Sequence, residues 1–547
     1  MRVLGINAVF HDSSAALVVD GRIVAAAEEE RFTRRKHAKP CVPFSAWELP
    51  ERAIAWCLEA GGLMADDIDA VAYSYDPALA APSDDLVTGE YEGLRTFYVK
   101  RLPHFLATLF GGFDPERVRY IPHHLAHAAS AYLCAPFRSC AVMAVDGRGE
   151  RGSFLAGRAA DGKFAALGTV ALPHSLGLRY EDLTVHLGFH RSSDEYKVMG
   201  MAAYGRPRFE ERLRETMFSD GIGYSAPPIN FASYCAPRAA AAEGFDEGHA
   251  DLAASVQQRL QTILVEIGRA LYERTGEKNL TLAGGVALNC VANSYLAERG
   301  PFDHVWVQPA AGDSGTSLGA ALYVACEGGD RIEAMHTAAL GRAWDDRETK
   351  AWLDAAAVAY RVPADLAEDV AAILAGDGVV GWFQGRSEFG PRALGHRSLL
   401  AHPGRAENLA RLNDVKGREQ FRPVAPMVLV ERAAEIFDGP LPSPYMLFTH
   451  RVRDAWRDRI PAVTHVDGSA RVQTVDARTE PLMAAVLRAF ERRTGLPVLV
   501  NTSFNTAGRP MVDDPRDALE VYGSTPLDAL AIGPYVLCRA ALLDAAA

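Results

Sequence analysis

Residues 121–130 read IPHHLAHAAS, and three histidines within five positions raise the question of metal binding. On a helix His123 and His127, four apart, share one face and could grip one ion. His124 points about 100° away from them. Two imidazoles seldom hold a metal alone, so carboxylates must come from elsewhere in the chain. Asp146 ends the strand-like run SCAVMAV, and Asp313 opens the glycine-rich turn GDSGTSLGAA. If those ends meet in one cleft, two nitrogens and two oxygens converge, a set that suits Fe(II), Mn or Zn better than Ca. The bland alternative has the histidines capping or packing a helix and Asp146 shaping a turn. Residue types alone favour it.

A second group with chemical promise is cationic. Arg386, Arg392, Arg397, Lys416, Arg418 and Arg422 sit beside Gly, Pro and strand ends, and NTSFN (501–505) closes a later strand. Such residues usually pair with surface acids, but gathered at turns they suggest an anion pocket, where Arg binds phosphate bidentately. Glycine turns add to this. Gly147 in VDGRGE, Gly284, Gly285 and Asn289 in AGGVALN, and Gly315 in GDSGTSLGAA would let backbone N–H groups approach phosphates. Each turn is weak alone; together they predict a nucleotide-type cleft. Two better-known motifs fail on context. GRGERG (147–152) should lead into a strand, not the helix of a dinucleotide fold, and GRAADGKF (157–164) has Phe164 where a P-loop needs Ser or Thr. The histidine run lacks the Glu of a zinc protease.

Positioning these residues requires strands that end together. RVLGINA, SSAALVVD, a DG turn and RIVAAAEEE read as three strands, and the plan recurs at 139–170 with an ADG turn. That repetition predicts a duplicated domain. An amphipathic helix is expected at about 248–274, ended by Gly276, followed by the strands NLTLA and HVWVQP. The pattern breaks around 327–347, which puts the main boundary near residue 345. Beyond it a separate α/β stretch contains VVGWFQGRSE, PVLVNTSFN and DALAIGPYVLCRA.

The chain of 547 residues has room for two to four domains and carries a net charge of −12. Its one basic cluster is RFTRRKH (31–37), too small a footprint for a nucleic-acid partner. The start shows no cleavable signal pattern, and no apolar run is long enough to span a bilayer. The eight cysteines are scattered without a CxxC pair, as expected of reduced thiols in a cytoplasmic protein.

Taken together, MRVLGINAVFHDSSAALVVDGRIVAAAEEERF, HHLAHAASAY, VDGRGE, DEYKVMGMA, AGGVALN, DSGTSLGAA, GRSEFGPRALGHRS, FRPVAP and VLVNTSFN resemble the NodU/CmcH family of O-carbamoyltransferases over essentially the full length. The resemblance implies an α/β (α+β) protein. Residues 1–345 would form a duplicated actin/Hsp70-like ATPase fold, and residues 346–547 a YrdC-like domain. It implies that His123, His127, Asp146 and Asp313 hold a divalent metal (Fe(II), with Mn or Zn as alternatives). His11 in FHDSSA would be the general base, with Lys197 as a weaker catalytic candidate. Lys416 and Arg418 (KGR), with Ser503 and Asn505 (SFN), match the KxR and SxN signature of YrdC-type pockets; Arg386, Arg392 and Arg422 match less closely. The implied substrates are ATP with Mg²⁺, carbamoyl phosphate and a small-molecule hydroxyl acceptor, with carbamoyl adenylate formed in the second half and used in the first. A sugar hydroxyl of an antibiotic-like natural product is the expected acceptor, its pocket sought in 76–118 and 206–246. A homodimer is compatible with the family. Three rivals compete: a tRNA threonylcarbamoyl enzyme, disfavoured by the acidic balance; an actin-like sugar kinase, which leaves the cationic second half unexplained; and a non-enzymatic scaffold.

Overall fold

Alternating small and branched apolar residues at the chain start form β1 (Arg2–Asn7), β2 (Ser14–Val19) and β3 (Arg22–Glu28), paired antiparallel. Asp20 and Gly21 between the last two both take positive φ, the type I′ geometry that matches strand twist. β4 (Ala70–Tyr73) lies parallel to β1, and β5 (Val118–Tyr120) parallel to β4, giving the order β3-β2-β1-β4-β5.

A second sheet repeats this order and these senses. β6 (Ser139–Val145), β7 (Gly152–Ala160) and β8 (Lys163–Ala171) run antiparallel, while β9 (Asn279–Ala283) and β10 (His304–Val307) extend the other side parallel to β6. Its β7–β8 turn again uses a positive-φ Asp–Gly pair, Asp161 and Gly162. The duplication read from the two DG turns is therefore present strand for strand. GRAADGKF is this hairpin, and GRGERG runs straight into β7.

Each repeat ends in a helix after its last strand: α1 (His123–Tyr132) and α2 (Ser314–Glu327). The two pack closely because Gly319 has no side chain. A Cβ there would lie 1.9 Å from the Ala126 carbonyl oxygen and 2.7 Å from the Ser130 nitrogen. Gly319→Ala is expected to cost about 1–3 kcal/mol by forcing the helices apart, read as a lower denaturation midpoint in urea. A longer helix, Glu247–Thr275, starts on the Asp246 side chain and stops at Gly276 with φ +66°.

The structure, a computed structural model, describes residues 1–80, 90–239 and 244–539, without the side chains of residues 43, 44, 90 and 91. It falls into two units, Met1–Met335 and His336–Ala547. The second unit holds a seven-stranded mixed sheet of β11 (Val380–Phe383), β12 (Arg397–Ala401), β13 (Ala425–Leu429), β14 (Gln473–Val475), β15 (Val498–Ser503), β16 (Ala529–Ile532) and β17 (Tyr535–Cys538). Their order is β14-β13-β15-β12-β11-β16-β17. Trp382, Phe490 and Phe504 fill its core, and the Trp382 indole N–H donates to the Gly395 carbonyl at 2.8 Å. The helix α3 (Glu407–Lys416) ends at Gly417 in left-handed conformation. Among the described residues no helix is long and apolar enough to cross a membrane. Parts of the two segments expected to form the acceptor pocket, 81–89 and 240–243, lie outside the described residues.

Candidate metal centre and a lysine-centred polar cluster

In the first unit, chemistry gathers where the parallel strands end, the usual place for a site in open α/β sheets. β1 leads to His11, β4 to Ser74, β6 to Asp146, β9 to Gly284 and β10 to Asp313. The loop after β1 is pinned by Asn7, whose amide donates to the carbonyls of His11 at 3.0 Å and Asp12 at 3.1 Å. Ser14 donates to the Ser314 carbonyl at 2.7 Å, and Thr316 to Ser74 Oγ at 2.8 Å, fixing the start of α2.

His123, His127, Asp146 and Asp313 are all buried, with one donor atom of each within 4.8 Å of the others. His123 Nε2 lies 3.4 Å from Asp146 Oδ2 and 3.5 Å from Asp313 Oδ1; His127 Nε2 lies 3.7 Å and 3.4 Å from the same atoms. These gaps exceed good hydrogen bonds, and both Nε2 atoms lack a hydrogen-bond partner. Donors at roughly 2.1 Å from one ion sit about 3.4 Å apart in a tetrahedral arrangement, so the spacing fits an ion in their midst. His123 Nδ1–H donates to the Ser74 carbonyl at 3.1 Å, which leaves the Nε2 lone pair facing the carboxylates. Asp146 Oδ1 accepts the Gly285 N–H at 2.9 Å, and Glu150 accepts the His123 N–H at 2.8 Å.

The electrostatics agree. Burial opposes charge on His123 and His127, yet Asp313 and Asp146 lift His123 well above the usual imidazole range, and Asp146 lifts His127. Burial likewise opposes charge on Asp146 and Asp313, but the facing histidines hold both carboxyls low. Two buried carboxylates call for positive charge between them, and these four side chains could hold a metal ion that supplies it. His124 stands apart. Burial and the neighbouring His123 push it down to about 3, and its ring packs against Gly149.

His11 borders the centre, its Nε2 3.8 Å from Asp313 Oδ2. Its Nδ1 meets Asp12 Oδ2 at 3.0 Å; an Nδ1–H donated there leaves Nε2 as the free lone pair. Burial works against charge on His11, but Asp313 and Asp12 outweigh it and raise its pKa. Sequence reasoning missed Asp12, Ser74 and Glu150. Asp12 stood inside the quoted FHDSSA, but a Ser74 backbone carbonyl has no side-chain signature.

Around the centre the glycines play unequal parts. Gly284 takes φ +89° and would place a Cβ 2.2 Å from the Val145 oxygen, so β6 and the β9 turn touch only because it is glycine. Gly285 is exposed, Gly147 half-buried, and Gly315 buried against the Ala310 carbonyl. Asn289 exchanges hydrogen bonds with Gln257 at 2.8 and 3.1 Å and caps the helix Cys290–Arg299. Lys197 reaches Asp194 at 3.2 Å and covers the Phe189 ring.

In the second unit Lys416 ends α3, and its ammonium donates to Ser503 Oγ at 2.9 Å, to Asn505 Oδ1 at 2.5 Å and to the Ser503 and Asn505 carbonyls. Burial, then Arg418 and Arg422, hold its pKa well below the usual lysine value. Arg418 Nε donates to Asn413 at 2.6 Å, and Arg422 meets Glu419 at 3.3 Å. Arg386 donates to the carbonyls of Leu340 and Gly341, and Arg397 stacks on Phe383 while donating to the Gln384 carbonyl. Arg392 lies half-buried in the loop before β12.

The first, duplicated α/β unit thus carries a buried His/Asp centre, and the second α/β unit a lysine-centred polar cluster. The family description "Carbamoyltransferase N-terminus" matches residues 2–322, and "Carbamoyltransferase C-terminus" matches residues 371–539. The chain is 37% identical to uncharacterized protein sll1178 of Synechocystis sp., covering 98% of this chain and 97% of that one. It is 39% identical to nodulation protein NolNO of Sinorhizobium fredii (97% and 79%) and 33% identical to nodulation protein U of the same species (93% and 94%). The chain belongs to the carbamoyltransferase family, and its activity is carbamoyl transfer.

Proposed function

We propose that the protein is an ATP-dependent O-carbamoyltransferase with its two half-reactions in its two units. The observation that carries this reading is the pair of unlike polar clusters, one of cations and amide oxygens, the other of histidines and carboxylates. In the second unit Lys416, Ser503 and Asn505, with Arg418 and Arg422 nearby, would hold the phosphates of carbamoyl phosphate and Mg²⁺-ATP. Cleavage of carbamoyl phosphate by one water gives carbamate and phosphate. Carbamate oxygen then bonds to the α-phosphorus of ATP, and pyrophosphate leaves. Arg386 and Arg392 would shape this pocket from the side of β11 and β12.

In the first unit the acceptor hydroxyl attacks the carbamoyl carbon of the adenylate, and AMP departs. His11 takes the hydroxyl proton at Nε2, with Asp12 holding the ring in the right tautomer. Gly147 and Gly285 leave room for the nucleotide beside the centre, while Gly284 lets the β9 turn close on β6. His123, His127, Asp146 and Asp313 would hold the divalent ion, Fe(II) in preference to Mn or Zn, which when bound supplies positive charge to a phosphate oxygen. The acceptor is a hydroxyl on a sugar-bearing natural product. His11→Asn is expected to lower transfer of radiolabelled carbamoyl groups by roughly 10²–10⁴-fold while pyrophosphate still forms. Transfer at the wild-type rate in that variant would remove His11 from the chemistry.

A further inference from the structure

The basic run RFTRRKH serves neither site described above, yet it folds back beside His11. Arg35, Lys36, His37 and Lys39, joined by Arg191 and by His11 itself, line a cavity of about 240 Å³. No carboxylate is among its lining residues. Ligand pockets usually enclose roughly 300–1,000 Å³, so this one takes an end of a ligand rather than the whole.

The cations differ in what already balances them. Arg35 meets Glu48 at 3.3 Å, and Arg191 pairs with Asp182 and, at 3.6 Å, with Glu181. Lys39 is buried and donates to the carbonyls of Ala8 and Ser45. Lys36 has no such partner. Its ammonium meets the Ser193 hydroxyl at 3.2 Å and the Tyr196 ring at 5.7 Å, with no carboxylate bridge among the described residues. Ser193 in turn meets His37 Nε2 at 2.9 Å, His37 Nδ1 meets Asp12 at 2.7 Å, and Asp12 holds His11. One hydrogen-bonded chain thus runs from the unbalanced ammonium to His11. Asp12, His37, Ala38 and Ser192 all have positive φ without being glycine, a costly conformation that collects at ligand sites.

We propose that this cavity docks the acceptor, and that the acceptor carries a compact oxyanion, phosphate or carboxylate, which Lys36 holds while the acceptor hydroxyl meets His11. The inference rests on the reading of His11 as the base. It narrows the acceptor class: an amine-rich sugar would meet the Lys and Arg side chains that line the cavity, the nearby acids Asp12, Glu30, Glu48, Asp182 and Glu181 being already engaged with His37, Arg35 and Arg191. It also moves the acceptor pocket away from segments 76–118 and 206–246.

Calorimetric titration of the full chain without ATP or carbamoyl phosphate tests it, with glucose 1-phosphate, glucuronate, glucose and glucosamine as probes. At least one of the two anionic probes is expected to bind about tenfold or more tightly than glucose and glucosamine, and which one binds separates phosphate from carboxylate. Lys36→Gln should weaken that binding about tenfold, and Lys36→Arg should restore it. Equal binding of glucosamine, no binding of either anion, or anion binding that survives Lys36→Gln and vanishes in Lys416→Ala would overturn the proposal. Because no turnover is read, failure of the adenylate chemistry would leave this result standing, and failure here would leave the adenylate reaction untouched.

Discussion

Asp313→Ala is expected to strip the protein of its bound metal and to lower carbamoyl transfer by well over 10²-fold, with pyrophosphate release from ATP and carbamoyl phosphate retained. Asp313 is the carboxylate of the centre that faces three histidines: His123 at 3.5 Å, His127 at 3.4 Å and His11 at 3.8 Å. A change behind a ligating side chain costs roughly 10–100-fold in metal affinity, so loss of a carboxylate donor costs more. Metal content per chain by mass spectrometry, beside a thermal melt to show that the variant folds, checks it. Metal retained at the wild-type ratio would remove Asp313 from the donor set.

The second large effect belongs to the other unit. Lys416→Ala is expected to reduce pyrophosphate formation by about 10²–10³-fold, the usual cost of losing one donor aimed at developing charge. Transfer to acceptor should fall in step, because its supply of carbamoyl adenylate fails, while metal content stays unchanged. Lys416 is buried at the end of α3 and gripped by oxygens of Ser503 and Asn505, so its ammonium is placed before any phosphate arrives. Initial-rate assays of pyrophosphate, with carbamoyl phosphate varied, measure the effect. A rate within threefold of wild type (about 0.6 kcal/mol) would contradict it.

Legibility in the sequence followed how local each signal was. The Asp–Gly turns at 20–21 and 161–162 announce their hairpins within a few residues, and their recurrence exposed the duplication. The i, i+4 pair His123 and His127 declares a shared helix face, but Asp146 and Asp313 join it only because β6 and β10 end at the same edge. Residue types alone could not decide that; the family resemblance could. Lys416 lies more than eighty residues from Ser503 and Asn505 in sequence; their motifs pair them, and they meet in space. What stayed hidden was longer in range or carried no side-chain mark. The chain Lys36–Ser193–His37–Asp12 joins segments more than 150 residues apart, and the Ser74 carbonyl that turns His123 is backbone. The order of the seven-stranded sheet mixes parallel and antiparallel neighbours from distant segments, so no local pattern announces it.

The division of labour between the units is tested most directly by the acceptor-free reaction. Purified wild-type protein, Asp313→Ala and Lys416→Ala would each receive ATP, Mg²⁺ and carbamoyl phosphate, with pyrophosphate, AMP and ADP followed over time. The expected result is pyrophosphate that requires carbamoyl phosphate, survives in Asp313→Ala and is lost in Lys416→Ala. Formation of ADP instead, or pyrophosphate release indifferent to carbamoyl phosphate, would contradict a carbamoyl adenylate and favour a kinase-like use of the first unit.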